Sequence, residues 1–177
     1  MAKYLMIGGG GHARMIMNSI LTQEYFWGYV DLAPNDKMSS LKYLGNDDCG
    51  VETLSSSESI VPVLGIGLIK NYASRRNIIA KYGGYQERFS PVIAESAIVA
   101  NSVTVGYGSV VGVTALINNH TRIGDFCIIN SAGVVENNVI IGSNVHITPG
   151  AIVCGEVTIS DNVFIGAGAI INNGITI

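Results

Sequence analysis

Charge is scarce in this chain and does not cluster. Thirteen acidic residues against ten basic ones give a formal charge of −3, with no block of Lys or Arg. That excludes the phosphate-neutralising surface of a nucleic-acid binder. Cysteine is limited to Cys49, Cys127 and Cys154, an odd count with no metal-ligand spacing. Aromatics are few, mostly Tyr, and concentrated before residue 90. No long apolar run is present: the N-terminal one carries a single Lys and is cut short by the glycines at 8–11, too early for a signal peptide or a membrane span. The expected location is the cytoplasm, and 177 residues suffice for one or two small domains.

What the chain has in quantity is a beat of six. From Ile93 to Ile177 every sixth residue, fifteen in all, is Ile or Val. Neither a helix nor an ordinary strand produces that period; a hexapeptide repeat reads as a parallel β-helix, three hexapeptides per triangular coil. An aliphatic sandwich would show strands of varying length and a drifting phase. Two residues before each anchor stands a compact residue, among them Ala97, Ser109, Ala115, Cys127 and Gly133, so a buried Cys127 thiol is expected. Gly or Asn often follows the anchor directly, as at Gly106, Gly112, Gly124, Gly142, Asn118 and Asn130. These residues are expected to form the sharp corners between strands.

Residues 1–88 follow another pattern. Lys3 to Ile7 reads as a buried strand. The loop Gly8-Gly9-Gly10-Gly11 and His12 follow, then an apolar-periodic helix through Ala13, Ile16, Met17, Ile20 and Leu21. Trp27 to Val30 reads as a second strand ending at Asp31. Val61 to Leu64 reads as a third, followed by Gly65-Ile66-Gly67 and a helix from about Leu68 to Lys81. Such alternation, with a glycine loop after the first strand, indicates a small Rossmann-like βαβ unit. Glycines let a phosphate approach the backbone, and the next helix presents N–H groups and its positive end. A carboxylate such as Asp31, at the end of strand two, commonly meets a ribose or base edge. The loop is not a complete G-x-G-x-x-G, since position 13 is Ala; a nucleotide site and a structural turn both fit. Arg75 and Arg76 either aid phosphate contact or are a solvated helix flank.

The glycine loop GGGGHA at 8–13, GYVD at 28–31, FSPVIAESAIVA at 89–100 and the hexapeptide half together resemble the sugar O- and N-acyltransferases. That family comprises the sialic acid O-acetyltransferase group and the bacterial enzymes that acetylate nucleotide-linked 4-amino-sugars. The resemblance spans the whole chain. It implies an α/β Rossmann-like domain over 1–88 that binds the nucleotide sugar, through Gly8, Gly10, Gly11, His12, Asp31 and Gly65. It implies a left-handed parallel β-helix over 89–177 and a homotrimer. Acetyl-coenzyme A would lie between neighbouring β-helices near His146, Gly155, Ala167 and Asn173, with no metal. A family member would also run on for one to two coils past Ile177, so the resemblance implies either a longer natural chain or a truncated one.

The implied catalytic stretch is residues 129–151. Where the family usually has His and an acidic residue, this chain has Asn137 and Asn138; the second family His is retained as His146, and a family His near the start of the repeat is Ala94 here. Acetyl transfer needs a proton acceptor and donors facing the oxyanion. A neutral imidazole accepts a proton near pH 7; a carboxamide only orients or donates a hydrogen bond. Three accounts fit: an engineered exchange, a natural enzyme with another base, or a protein with weak or no transferase activity that serves as a binding module. In an 18-residue coil His120 falls one coil from Asn138, and it joins His146, Asn137 and Asn138 as a catalytic candidate. Glu136 could polarise a neighbour. The expected reaction is acetylation of the amino group of a nucleotide-linked amino-sugar; the alternative acceptor is a sialic acid-type hydroxyl.

Overall fold

The computed structural model describes residues 3–19, 21, 23–68 and 72–177. The chain forms two compact units, Met1–Ser90 and Pro91–Ile177.

The first unit is built on a three-stranded parallel sheet of order β2-β1-β3: β1 is Lys3–Ile7, β2 Phe26–Val30 and β3 Ile60–Leu64. Central β1 is flanked on both sides, and its Leu5, Met6 and Ile7 are fully buried. Pro62 is tolerated because β3 is an edge strand. Helix α1 spans Gly11–Ser19. Leu21 lies beyond it, and Ile20, placed in this helix from the sequence, is outside the described residues. Helix α3 spans Tyr72–Lys81; Leu68 precedes it as a bend, and residues 69–71 of the expected helix are outside the described residues.

Helix α2, Asp47–Ser56, has no counterpart in the sequence reading. It is started by polar chemistry, not by an apolar stripe. The Asn46 side chain caps it, accepting from Asp48 N (3.0 Å) and Cys49 N (3.3 Å), and Asp47 and Asp48 stand at its positive end. Its far end is held by Arg88, which donates to the carbonyls of Leu54 (2.7 Å), Ser57 (2.6 Å) and Ile60 (2.6 Å). Arg75 departs from the solvated flank considered for it. It is buried, and its Nε donates to the Ile66 carbonyl at 2.8 Å, tying α3 to the loop after β3; Arg76 is exposed.

The second unit is a left-handed parallel β-helix. Its fourteen two-residue strands run from β4 (Val92–Ile93) to β17 (Ile170–Ile171). They stack into three parallel sheets of orders β16-β13-β10-β7-β4, β17-β14-β11-β8-β5 and β15-β12-β9-β6. Partners are 18 residues apart, as in Ile129 with Ile147. The ten anchors from Val111 to Ile165 are at most 5% exposed, whereas Ile93 (43%) and Ile177 (39%) are open because no further coil covers them. Cys127 is fully buried, its thiol against the Gly142 carbonyl at 3.0 Å.

The corners do not fall where the sequence suggested. Left-handed backbone recurs three residues after the anchor, at every sixth residue from Gly108 (φ 63°) to Gly174 (φ 69°). Eight of these positions are not Gly, including Thr114, His120, Phe126 and Asn138. Gly106, Gly112, Gly124 and Gly142, directly after their anchors, serve another purpose. A Cβ on Gly124 would lie 2.7 Å from the Gly142 carbonyl group, and one on Gly112 2.8 Å from Ser131 N. Those glycines clear the stacked coil; the bend is made elsewhere.

Candidate active site

The glycine loop is braced by the end of β2. Gly8 N donates to the Val30 carbonyl (2.8 Å), and Gly8 takes φ +91°, where an added Cβ would press to 2.7 Å from Ile66 Cγ1. Gly9 N donates to Asp31 Oδ2 at 2.8 Å, while Leu32 N donates to Asp31 Oδ1 at 2.7 Å. Gly9 O accepts from Asn35 Nδ2 (2.9 Å) and Arg14 Nη1 (3.3 Å). Both oxygens of Asp31 are thus engaged in holding the loop. Gly10 and Gly11 differ from these two: an added Cβ meets nothing within 4 Å at Gly10 and only the tip of Arg14, at 3.9 Å, at Gly11. They form the open side of the loop at the start of α1, where the first-turn N–H groups have no acceptor within the helix. His12 is half-buried in that turn, beside Gly67. Gly65 has a packing reason to be Gly, since a Cβ there would lie 2.6 Å from both Ala13 Cβ and Met6 Sδ.

A cleft of about 330 Å³ opens at the carboxyl ends of β1, β2 and β3. Gly8 and residues 30–32 form one part of its lining, Ile66, Ser74, Asn77 and Ile78 another, and Asp47 completes it. This is where open parallel sheets of such order bind ligands. Gly8 and Asp31 were legible as cleft residues. Asp47 was not, because α2 was not foreseen. Ser74 and Asn77 had a faint signal, the spacing of three that puts them on one face of α3. Asp47 is held by Tyr82, whose buried hydroxyl donates to Asp47 Oδ1 and to the Asp47 carbonyl, each at 3.2 Å. Burial first, and then the Asp47 charge, push the Tyr82 hydroxyl well above the usual phenol range.

In the β-helix, Asn137 and Asn138 occupy the corner between β11 (Val134–Val135) and β12 (Ile140–Ile141), and both are exposed. Stacking at 18-residue intervals gives this edge two columns. One is Asn119, Asn137, Gly155 and Asn173; the other is His120, Asn138, Glu156 and Gly174. Asn138 N donates to the Asn119 carbonyl and Glu156 N to the Asn137 carbonyl, each at 3.0 Å. A Cβ on Gly155 would sit 3.4 Å from both Asn137 Oδ1 and Asn173 Nδ2. Glu136, half-buried, accepts from Asn118 Nδ2 at 2.9 Å. One edge therefore gathers Asn137, Asn138, His120, Gly155 and Asn173.

His146 and Ala167 lie elsewhere. His146 is on β13 (His146–Ile147), in the sheet that does not border the Asn137 corner, and is only 3% exposed. Ser131 N donates to Asn130 Oδ1 (2.8 Å), which leaves Asn130 Nδ2 to face His146 Nε2 at 3.2 Å. Nε2 then accepts, and the ring proton sits on Nδ1. Phe164 meets the ring edge-on at 5.2 Å. Ala167 is exposed at the corner after β16 (Phe164–Ile165). Among the described residues no group of three or more His, Cys, Asp and Glu could hold a metal ion. No described helix is long and apolar enough to cross a membrane.

Residues 3–82 match the family model described as the PglD N-terminal domain. No curated protein sequence matches the chain. Solved structures do. The acetyltransferase domain of PglB from Neisseria gonorrhoeae FA1090, in complex with acetyl coenzyme A, is 22% identical with a TM-score of 0.75, covering 99% of this chain and 95% of that one. PerB from Caulobacter crescentus, in complex with CoA and GDP-perosamine, is 24% identical with a TM-score of 0.77, covering 99% and 91%. WeeI from Acinetobacter baumannii AYE is 15% identical with a TM-score of 0.60, covering 98% and 93%. Residues 3–82 are therefore similar to the PglD N-terminal domain family, and the chain as a whole has the two-part fold of these solved structures.

Proposed function

We propose that this protein moves an acetyl group from acetyl-coenzyme A to the amino group of a nucleotide-linked amino-sugar. One observation carries the reading. A parallel-sheet unit with a glycine-loop cleft and a left-handed β-helix stand in one chain, which shares its fold over 99% of its length with PerB, solved with CoA and GDP-perosamine. The nucleotide would occupy the cleft, with its phosphates toward Gly10, Gly11 and His12, and the acetyl donor would use the β-helix, near Gly155 and Asn173 of the corner edge.

The chemistry at Asn137 favours an amine over a hydroxyl. A neutral amine attacks the thioester with its own lone pair, forming the C–N bond before it must lose a proton; the C–S bond then breaks and coenzyme A leaves as the thiol. A hydroxyl must lose its proton as it attacks, which Asn cannot arrange. The amide can still donate from Nδ2 to the developing oxyanion.

The placement of His146 bears on assembly. Within one chain it lies on the sheet across the prism from the Asn137 corner, so the two can face a common groove only between copies. The row Ile98, Leu116, Val134, Ile152 and Ile170 on a different face is aliphatic throughout, and Ile98 and Ile170 are 68% and 64% exposed, as a surface that packs against a partner would be. A cyclic trimer accounts for both, and light scattering should give three times the chain mass; a monomer mass at micromolar concentration overturns it.

The function is tested by thiol release from acetyl-coenzyme A with a panel of nucleotide-linked and free amino-sugars, the product identified by mass as an N-acetyl sugar. Turnover of a free sialic acid-type sugar with no nucleotide binding would overturn the reading in favour of O-acetylation. The second reading, a binding module, is favoured by the carboxamide at Asn137 and the buried His146. Silence across the panel with tight coenzyme A or nucleotide binding would establish it.

A further inference from the structure

We propose that the cleft beside β2 selects guanine, with Asp47 reading its N1–H and exocyclic amine; this rests on the nucleotide-sugar reading above and names the nucleotide. The apolar part of the lining, Val30, Leu32, Ile66 and Ile78, suits the faces of a flat heterocycle. Leu32 is 89% exposed, a bare hydrophobic side chain at the cleft that a stacked base would cover. Among the described residues no Lys, Arg or His lines the cleft, whose described lining thus suits an uncharged group, and the open Gly10–Gly11 side of the loop suits phosphate.

The polar lining then discriminates among bases. A carboxylate has only acceptors and needs a donor-rich edge opposite. Guanine presents two neighbouring donors, N1–H and the exocyclic amine. Adenine and cytosine each set an amine beside a ring acceptor, which repels a carboxylate oxygen. Uracil has one N–H flanked by two carbonyls. Of the two carboxylates present, Asp31 spends both oxygens on the N–H groups of Gly9 and Leu32. Asp47 gives Oδ1 to Tyr82, and its Oδ2 has no protein donor among the described residues. Tyr82 thereby orients the carboxylate without using up its acceptors. Asn77, on the α3 part of the lining, brings an amide donor suited to the guanine O6 and N7 acceptors.

Calorimetric titration of the full chain with GDP, IDP, UDP and ADP tests this. GDP should bind about tenfold more tightly than UDP or ADP, because a site built to hydrogen-bond a base rejects one that leaves it unpaired. IDP, which lacks only the exocyclic amine, should bind roughly tenfold more weakly than GDP, the loss expected for one charge-assisted hydrogen bond. Asp47→Asn keeps an oxygen for Tyr82 but loses the carboxylate, and should bring GDP and IDP to within about twofold of each other. Equal binding of UDP or ADP and GDP, or a GDP:IDP ratio untouched by Asp47→Asn, overturns the inference. If that variant does not fold, the GDP:IDP ratio of the unaltered chain decides alone. Binding of all four without preference sinks this inference and leaves the nucleotide-sugar reading standing; binding of none sinks both.

Discussion

Gly124 and Gly166 hold the same place in the hexapeptide, directly after an anchor, yet substitution by Ala should act in opposite directions. At Gly124 the new Cβ would stand 2.7 Å from the carbonyl carbon and oxygen of Gly142 and 2.9 Å from Ser143 N. These are backbone atoms that cannot rotate away. Restoring ordinary carbon contact requires the coils to part by about 0.8 Å. The rungs Arg122 N to Val139 O and Gly124 N to Ile141 O, both 2.9 Å, would stretch past hydrogen-bonding range. Two bonds at about 1 kcal/mol each, with about 1–2 kcal/mol of overpacking, give a loss of about 3–4 kcal/mol. For a chain of this size that lowers Tm by roughly 6–16 °C. At Gly166 nothing lies within 4 Å of the added Cβ and the backbone is not left-handed. Ala there only restricts the unfolded chain, a gain of about 0.4–1 kcal/mol, so Tm should hold or rise slightly. Thermal melting followed by circular dichroism reads both. A Gly124→Ala melt within about 2 °C of the parent, or an equal fall for both variants, would refute coil clearance as the reason for these glycines.

Asn137→His should raise kcat/KM for acetyl transfer by roughly 10²-fold if proton removal limits the reaction; no change, with activity abolished by His120→Ala or His146→Ala, would place the base elsewhere. Tyr82 holds its proton more tightly folded than unfolded, so its contribution to stability is complete below about pH 10 and is lost as pH rises beyond it. Tyr82→Phe should therefore flatten part of the fall in Tm between pH 9 and pH 11, and an unchanged fall would remove this group from the alkaline response. Gly50→Ala would drive a Cβ into the Tyr82 hydroxyl and to 3.2 Å from Val30 Cγ2, costing about 1–3 kcal/mol. Combining it with Tyr82→Phe should recover part of that loss in a denaturant titration, and strict additivity would show that the two sites do not touch.

The β-helix was legible because its period is carried by side chains that all meet the same condition, burial on a stacking axis. Ile129 and Val135 needed only to be aliphatic, and the beat announced them. The corners were not legible, because left-handed backbone is a property of position and leaves no single residue type behind it: Thr114, Phe126 and Glu156 all adopt it. Helix α2 was hidden for a related reason. Its stability comes from the Asn46 cap, from acidic residues at its start and from Arg88 at its end, while buried Leu54 gives it little apolar periodicity. The cleft inherited that gap, so Asp31 could be read from strand two but Asp47 and its Tyr82 brace could not. Arg75 misled in the opposite sense, since a charged pair on a helix suggests solvent and gives no sign that one member is buried against a carbonyl.

The same backbone pattern separates the candidate catalytic residues from one another. Asn138 has φ 59° and His120 has φ 61°, both at the recurring left-handed corner. Asn and His are among the non-glycine residues enriched in that conformation, so each has a backbone reason to be where it is. Asn137 has none. It stands one residue before the corner with ordinary φ, as Asn119 and Asn173 do in the same column. Its side chain is exposed on the edge, with Gly155 beside it in place of a further side chain. Of the three candidates on this edge, Asn137, Asn138 and His120, Asn137 is the one whose side chain can be exchanged without touching the left-handed corner.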